Sequence, residues 1–146
     1  MAARFFSALG GITIIFSFFI LLISYANYPE EVLVYVDSVG EPLAYISKNS
    51  IFYISLAFIV LINITLIGLR RFLKNQVDEM EITQAGLGIT QIFFNLFFAS
   101  SVYFISILNS RENFNYSNFG YLIYVSGIFL LLSILITVFV RLVLKK

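Results

Sequence analysis

The alternation of apolar and polar positions divides the chain into four long apolar runs and three polar stretches. The runs are Phe5 to Ala26 (FFSALGGITIIFSFFILLISYA), Ile51 to Leu69, Gly88 to Leu108 and Tyr121 to Leu144. Each approaches the roughly 20 residues a helix needs to cross about 30 Å of hydrocarbon. None has the period of two that marks a barrel strand, and lipid leaves helices and closed barrels as the only spanning forms. The pattern predicts an all-α integral membrane protein, a four-transmembrane-helix bundle forming one membrane domain over residues 1–146. Arg4 and the Ser24-Tyr25-Ala26 ending give the first run some likeness to a signal peptide, but its apolar run is longer than a typical signal core, which favours a retained span.

The stretch NYPEEVLVYVDSVGEPLAYISK, from Asn27 to Lys48, has a different rhythm. Val32, Val34 and Val36 alternate with Leu33, Tyr35 and Asp37, and β-branched residues favour an extended strand. Gly40 is free to take positive φ in a turn, and Pro42 suits only the start or edge of a second strand. Leu-Ala-Tyr-Ile-Ser then alternates again. The expectation is a β-hairpin over Val32 to Ser47, between the first two helices. A lone hairpin is marginal in water and needs a surface to pack on. It serves either as a structural lid or as a recognition surface, with Tyr35, Asp37, Gly40, Pro42 and Tyr45 at its centre. Its strand edge offers a place for a partner strand.

Charge orients these elements. Arg4, Arg70, Arg71, Lys74, Arg141, Lys145 and Lys146 lie before the first run, in the middle stretch (70–87) or at the C-terminus, against only Lys48 and Arg111 in the other two stretches. By the positive-inside rule both termini and the middle stretch are cytoplasmic, and the hairpin and the 109–120 stretch are extracytoplasmic. Asn115-Tyr116-Ser117 matches a glycosylation sequon but carries no weight so close to two spans.

Within the hairpin stretch, Tyr28-Pro29-x-x-Val32, Asp37-x-x-Gly40-x-Pro42 and Tyr45-x-Ser47-Lys48 resemble the signature of the DUF1648 family, over Tyr28 to Lys48 only. In that family the motif also lies between the first two membrane helices. Leu33 stands where the family tends to have a second proline, and Tyr35 where it often has histidine, so a metal- or pH-linked role of that histidine would be lost. The resemblance implies a small multi-pass protein of the bacterial cytoplasmic (inner) membrane. It extends to immunity proteins of the SdpI kind, which protect a cell from a secreted toxin and signal its presence.

The composition closes many chemistries. The chain is 60% hydrophobic and 12% charged, with net charge +1 and no cysteine, histidine or tryptophan. That charged share is about half that of an average soluble domain. A nucleic-acid partner is not expected. Without thiols or imidazoles, haem, zinc and iron–sulfur ligation are not expected, nor is any other cofactor. Tyrosine and phenylalanine must supply the interfacial anchors. All eight acids lie outside the apolar runs, so no proton relay or ion path is written into them, and no catalytic motif is present.

What polarity remains lies at one depth. Asn63 is six residues from Leu69, Asn95 seven from Gly88, Thr13 eight from Phe5 and Thr137 seven from Leu144. At 1.5 Å per residue, Thr13, Asn63, Asn95 and Thr137 share a layer roughly 10 Å from the cytoplasmic ends. The layer is either glue between helices, chiefly an Asn63–Asn95 contact, or a polar pocket. Ser7 with Gly11, Ala99 with Tyr103, and Ser126-Gly127 mark places where helices can approach closely. In the middle stretch, Arg70, Arg71 and Lys74 serve as a topology signal or touch anionic lipid heads, and Asp78, Glu79 and Glu81 offer a docking cluster.

These readings leave three functions: a non-catalytic accessory subunit of a larger membrane complex, an immunity or sensing protein, and, least favoured, a small channel or transporter. The expected partners are the lipid bilayer and other membrane subunits, with a homo-oligomer open.

Overall fold

The computed structural model describes residues 2–36, 41–74, 80–110 and 116–144. The elements are α1 (Ala2–Asn27), β1 (Glu31–Val36), β2 (Pro42–Ser47), α2 (Lys48–Lys74), α3 (Met80–Leu108) and α4 (Tyr116–Leu144). All four helices are long and apolar enough to cross a membrane, with mean hydropathy from 1.7 to 2.6.

The helices outrun the apolar stretches. α2 continues past Leu69 to Lys74 and α3 begins at Met80, so most of the polar 70–87 stretch is helical. α4 likewise starts at Tyr116 rather than Tyr121. Hydropathy marks where apolar side chains stop, whereas a helix stops where its backbone bonding fails. Arg, Leu, Lys, Glu and Gln are good helix formers, and no proline interrupts them.

Packing turns the usual amphipathic pattern inside out. The buried stripe of α1 is Gly10, Thr13, Ser17, Leu21 and Ser24, spaced three or four apart and mostly small or polar. Its large apolar residues, Ile12, Ile15 and Phe19 among them, face outward. Small residues let backbones approach, which is how helices associate when their surroundings are as apolar as leucine. The tightest points between α1 and α3 are Gly10 and Gly88. A Cβ on Gly10 would lie 2.8 Å from Oε1 of Gln91, and one on Gly88 would lie 2.9 Å from Cβ of Phe6. Gly11, expected to mark the approach, has open space beside it.

Contacts fix the directions. Phe6 with Gly88, Gly10 with Gln91, Ser17 with Asn95 and Tyr28 with Val102 climb α1 and α3 together, so these helices are parallel. Arg70 with Gln91 and Asn63 with Asn95 make α2 antiparallel to α3. Gly86 with Thr137, Phe93 with Phe129 and Ser100 with Ser126 make α4 antiparallel to α3 as well. α3 packs on every other helix, while α4 packs on α3 alone among the described residues. The four helices therefore do not close a ring: α1, α2 and α3 form a unit and α4 lies on the outer side of α3. An apolar groove of about 590 Å³ remains between α1 and α4, floored by Phe93, Leu96 and Ala99.

β1 and β2 form an antiparallel hairpin in which Glu31 faces Ser47, Val32 faces Ile46 and Leu33 faces Tyr45. The register shifts on either side of Tyr35, the mark of a bulge. Val32 is fully buried with Tyr28 and Ile51, against Ile105 of α3. Ser47 ends β2 and caps α2, its Oγ accepting from the Ser50 amide at 3.3 Å.

Candidate functional site

Two places bring chemistry-bearing side chains together. The first is a hydrogen-bonded chain across α1, α2 and α3, in the half of the molecule away from the hairpin. Nδ2 of Asn63 donates to Oδ1 of Asn95 at 2.9 Å and to the Ile59 carbonyl at 2.8 Å. Nδ2 of Asn95 donates to Thr13 Oγ1 at 3.2 Å and, less well, to Oδ1 of Asn63 at 3.3 Å. Nε2 of Gln91 donates to that same Oδ1 at 2.9 Å. Ser17 Oγ donates to the Asn95 carbonyl at 2.8 Å. Arg70 ends the chain, with Nη2 donating to Oε1 of Gln91 and Nη1 to Ser7 Oγ at 2.7 Å.

Thr13, Asn63 and Asn95 are thus bonded to one another and buried. Thr137 is elsewhere. It lies against Gly86 on the seam between α3 and α4, its Oγ1 donating to the Ser133 carbonyl at 2.7 Å. Counting residues along a span gives depth but not azimuth. α3 presents Gln91 and Asn95 to α1 and α2, and Gly86 and Ser100 to α4.

Sequence reasoning missed Gln91, Ser17 and the inward turn of Arg70. Gln91 precedes Asn95 by one helical turn, and Ser17 follows Thr13 by one, so the i, i+4 spacing was the available signal. Arg70 enters the chain because a helical side chain tilts back toward its own N-terminus, here toward the hairpin and so into the bundle. The guanidinium ties α2 to both α1 and α3. Two buried atoms of this half have no hydrogen-bond partner among the described residues, Nε of Arg70 and Oγ1 of Thr90.

The second place is the hairpin. Asn109, just past α3, grips β1 from the side: its Oδ1 accepts from the Leu33 amide and its Nδ2 donates to the Leu33 carbonyl, both at 2.8 Å. Tyr28 Oη donates to the Val102 carbonyl at 3.1 Å. Burial pushes this phenol up to about 12, only partly offset by a hydrogen bond with Ser24. Of the residues expected at the hairpin's centre, Tyr35 and Tyr45 are 60% and 54% exposed and Pro42 is exposed. Asp37 and Gly40 lie outside the described residues, as do Asp78, Glu79 and the sequon residue Asn115. Leu43 and Ile46 add exposed apolar surface to β2. Lys48 Nζ lies over the Tyr25 ring, 5.0 Å from its centroid.

No group of three or more His, Cys, Asp or Glu side chains is placed to hold a metal ion among the described residues. The chain matches no family model, no curated protein and no solved structure.

Proposed function

We propose that the chain is a non-catalytic accessory or structural subunit of a larger membrane complex, with its hairpin as the contact surface. The reading rests on the exposed apolar side chains of that hairpin, Tyr35, Leu43, Tyr45 and Ile46, on an element outside the four long helices. Clustered apolar surface of this kind marks interaction sites. The inner polar groups support the same reading, since Thr13, Asn63, Gln91 and Asn95 are bonded to one another rather than aimed at a cavity.

In this proposal both termini and the turn between α2 and α3 are cytoplasmic, and the hairpin is extracytoplasmic. All nine tyrosines lie in the hairpin or toward the helix ends beside it, as an interfacial belt requires. Arg4, Arg70, Arg71 and Arg141 lie at the opposite end. The membrane is the bacterial cytoplasmic membrane, on the resemblance to the DUF1648 family.

Purification of the tagged chain from its native membrane in gentle detergent, followed by mass spectrometry, tests the proposal. A reproducible set of partners in fixed stoichiometry is expected; recovery of the chain without other proteins would sink it. The unbroken spacing from Pro29 to Lys48 favours immunity or sensing of a secreted peptide as the second reading. That reading predicts that deleting the gene sensitises cells to such a peptide.

A further inference from the structure

Arg70 brings a full positive charge to the end of the polar chain, and nothing there balances it. Its hydrogen bonds go to two neutral oxygens, Ser7 Oγ and Gln91 Oε1. Its Nε is buried without a partner, and no carboxylate bonds it among the described residues. The side chain is half-buried, and a charge withdrawn from water calls for an opposite charge beside it. A guanidinium has five N–H donors. One hydrogen on each of Nη1 and Nη2 is left over from the bonds to Ser7 and Gln91.

The approach to this charge is open. Ser7 is exposed, and its hydroxyl accepts from Nη1, which leaves its own hydrogen for a further acceptor. Arg4, also exposed, stands three positions earlier on the same face of α1. Gly11, one turn deeper on that face, is bordered by open space: a Cβ there would meet nothing within 4 Å. Arg70 directly follows the apolar run that ends at Leu69, so it stands where hydrocarbon gives way to headgroups. Donors thus gather at headgroup depth, and an uncovered strip of α1 leads from them into the hydrocarbon.

We infer that Arg70 and Ser7 hold the phosphate of an anionic glycerophospholipid from the leaflet opposite the hairpin, with one acyl chain lying along α1 past Gly11. The phosphate diester supplies the negative charge that Arg70 lacks. Its free oxygens accept from the remaining Nη hydrogens and from the Ser7 hydroxyl, and guanidinium suits such forked bonding. Net charge selects the lipid, because a zwitterionic headgroup brings an ammonium of its own to compete with Arg70. Arg4 adds attraction for the same headgroup. Nη2 also holds Gln91, so a bound lipid steadies the guanidinium and, through it, the bonds from Gln91 to Asn63 and on to Asn95. Lipid composition then sets how firmly α1, α2 and α3 are tied. The inference rests on the helices spanning a membrane. It is independent of the accessory-subunit reading, and recovery of partner proteins bears on that reading alone.

The test uses the full chain in neutral detergent, titrated with phosphatidylglycerol or phosphatidylcholine and followed by native mass spectrometry and thermal unfolding. One phosphatidylglycerol should be retained per chain, about tenfold more tightly than phosphatidylcholine, and should raise Tm. Glycerol 3-phosphate at the same concentration should do neither, since it has no acyl chain. Ser7→Asp sets a carboxylate beside Arg70 within the chain. That variant should unfold at a higher temperature than the wild type without lipid, and should lose the preference for phosphatidylglycerol. Arg70→Gln should lose the preference too, and Ser7→Asp decides the matter if Arg70→Gln does not fold. Arg71→Gln removes a charge from an exposed neighbour and should keep the preference. Equal retention of the two lipids by the wild type would overturn the inference and point to a counter-ion within the chain. So would an equal effect of glycerol 3-phosphate, a preference that survives Ser7→Asp, or one lost as fully in Arg71→Gln.

Discussion

Asn63 is the junction of the polar chain, since its amide meets Gln91, Asn95 and the Ile59 carbonyl at once. Asn63→Ala strands the buried Nε2 of Gln91 and Oδ1 of Asn95, and should cost about 1–3 kcal/mol in detergent unfolding. Thr65→Ala, on an exposed hydroxyl bonded among the described residues only to the Leu61 carbonyl, should stay within about 0.5 kcal/mol. The two adjacent glycines of α1 should respond with opposite signs. Gly10→Ala drives a methyl into Gln91 and should destabilise by about 1–3 kcal/mol, while Gly11→Ala meets nothing and should stabilise by about 0.5–1 kcal/mol. Tyr28 gives a pH signature. Its phenol ionises near 10 when unfolded and about 12 when folded, so its contribution is intact below pH 10. Above pH 10 the unfolded state sheds its proton first, and stability falls by on the order of 2 kcal/mol as pH rises toward 12. Titrating the unfolding free energy of Tyr28→Phe should show that fall removed. At this scale depth was legible and direction was not: counting brought Asn63 and Asn95 level, but nothing local to Thr137 says that α4 meets only α3.

Among the elements, α4 depends on one seam. A methyl on Gly86 would lie 2.7 Å from Thr137 Oγ1, so Gly86→Ala should loosen α4 while leaving the chain from Thr13 to Arg70 intact. Thr137→Ala should relieve most of that loss, and a double-mutant cycle should return a coupling of roughly 1 kcal/mol. The four helices and the hairpin were legible because apolar length and β-branched alternation are strong local signals. Helix ends were less so, since Arg70 to Lys74 and Met80 to Leu87 are polar enough to pass for a loop yet helical by propensity. The bulge at Tyr35 and the grip of Asn109 on Leu33 join residues far apart in sequence, and no local pattern announces them.

For the whole molecule, the proposed orientation makes a direct test possible in a chain without cysteine. Leu43→Cys should react with a membrane-impermeant maleimide on intact cells, and Arg71→Cys only after the membrane is opened. The opposite labelling would invert the orientation. The central place of α3 has a further consequence for synthesis. α1 and α2 are made first, yet the amides that satisfy Asn63 and Arg70 belong to the third helix. Until α3 emerges from the ribosome, Asn63 has only its bond to the Ile59 carbonyl and Arg70 only its bond to Ser7, and the bonds to Asn95 and Gln91 are missing. In the proposed membrane setting, the polar chain from Thr13 to Arg70 can close only once Gln91 and Asn95 have arrived.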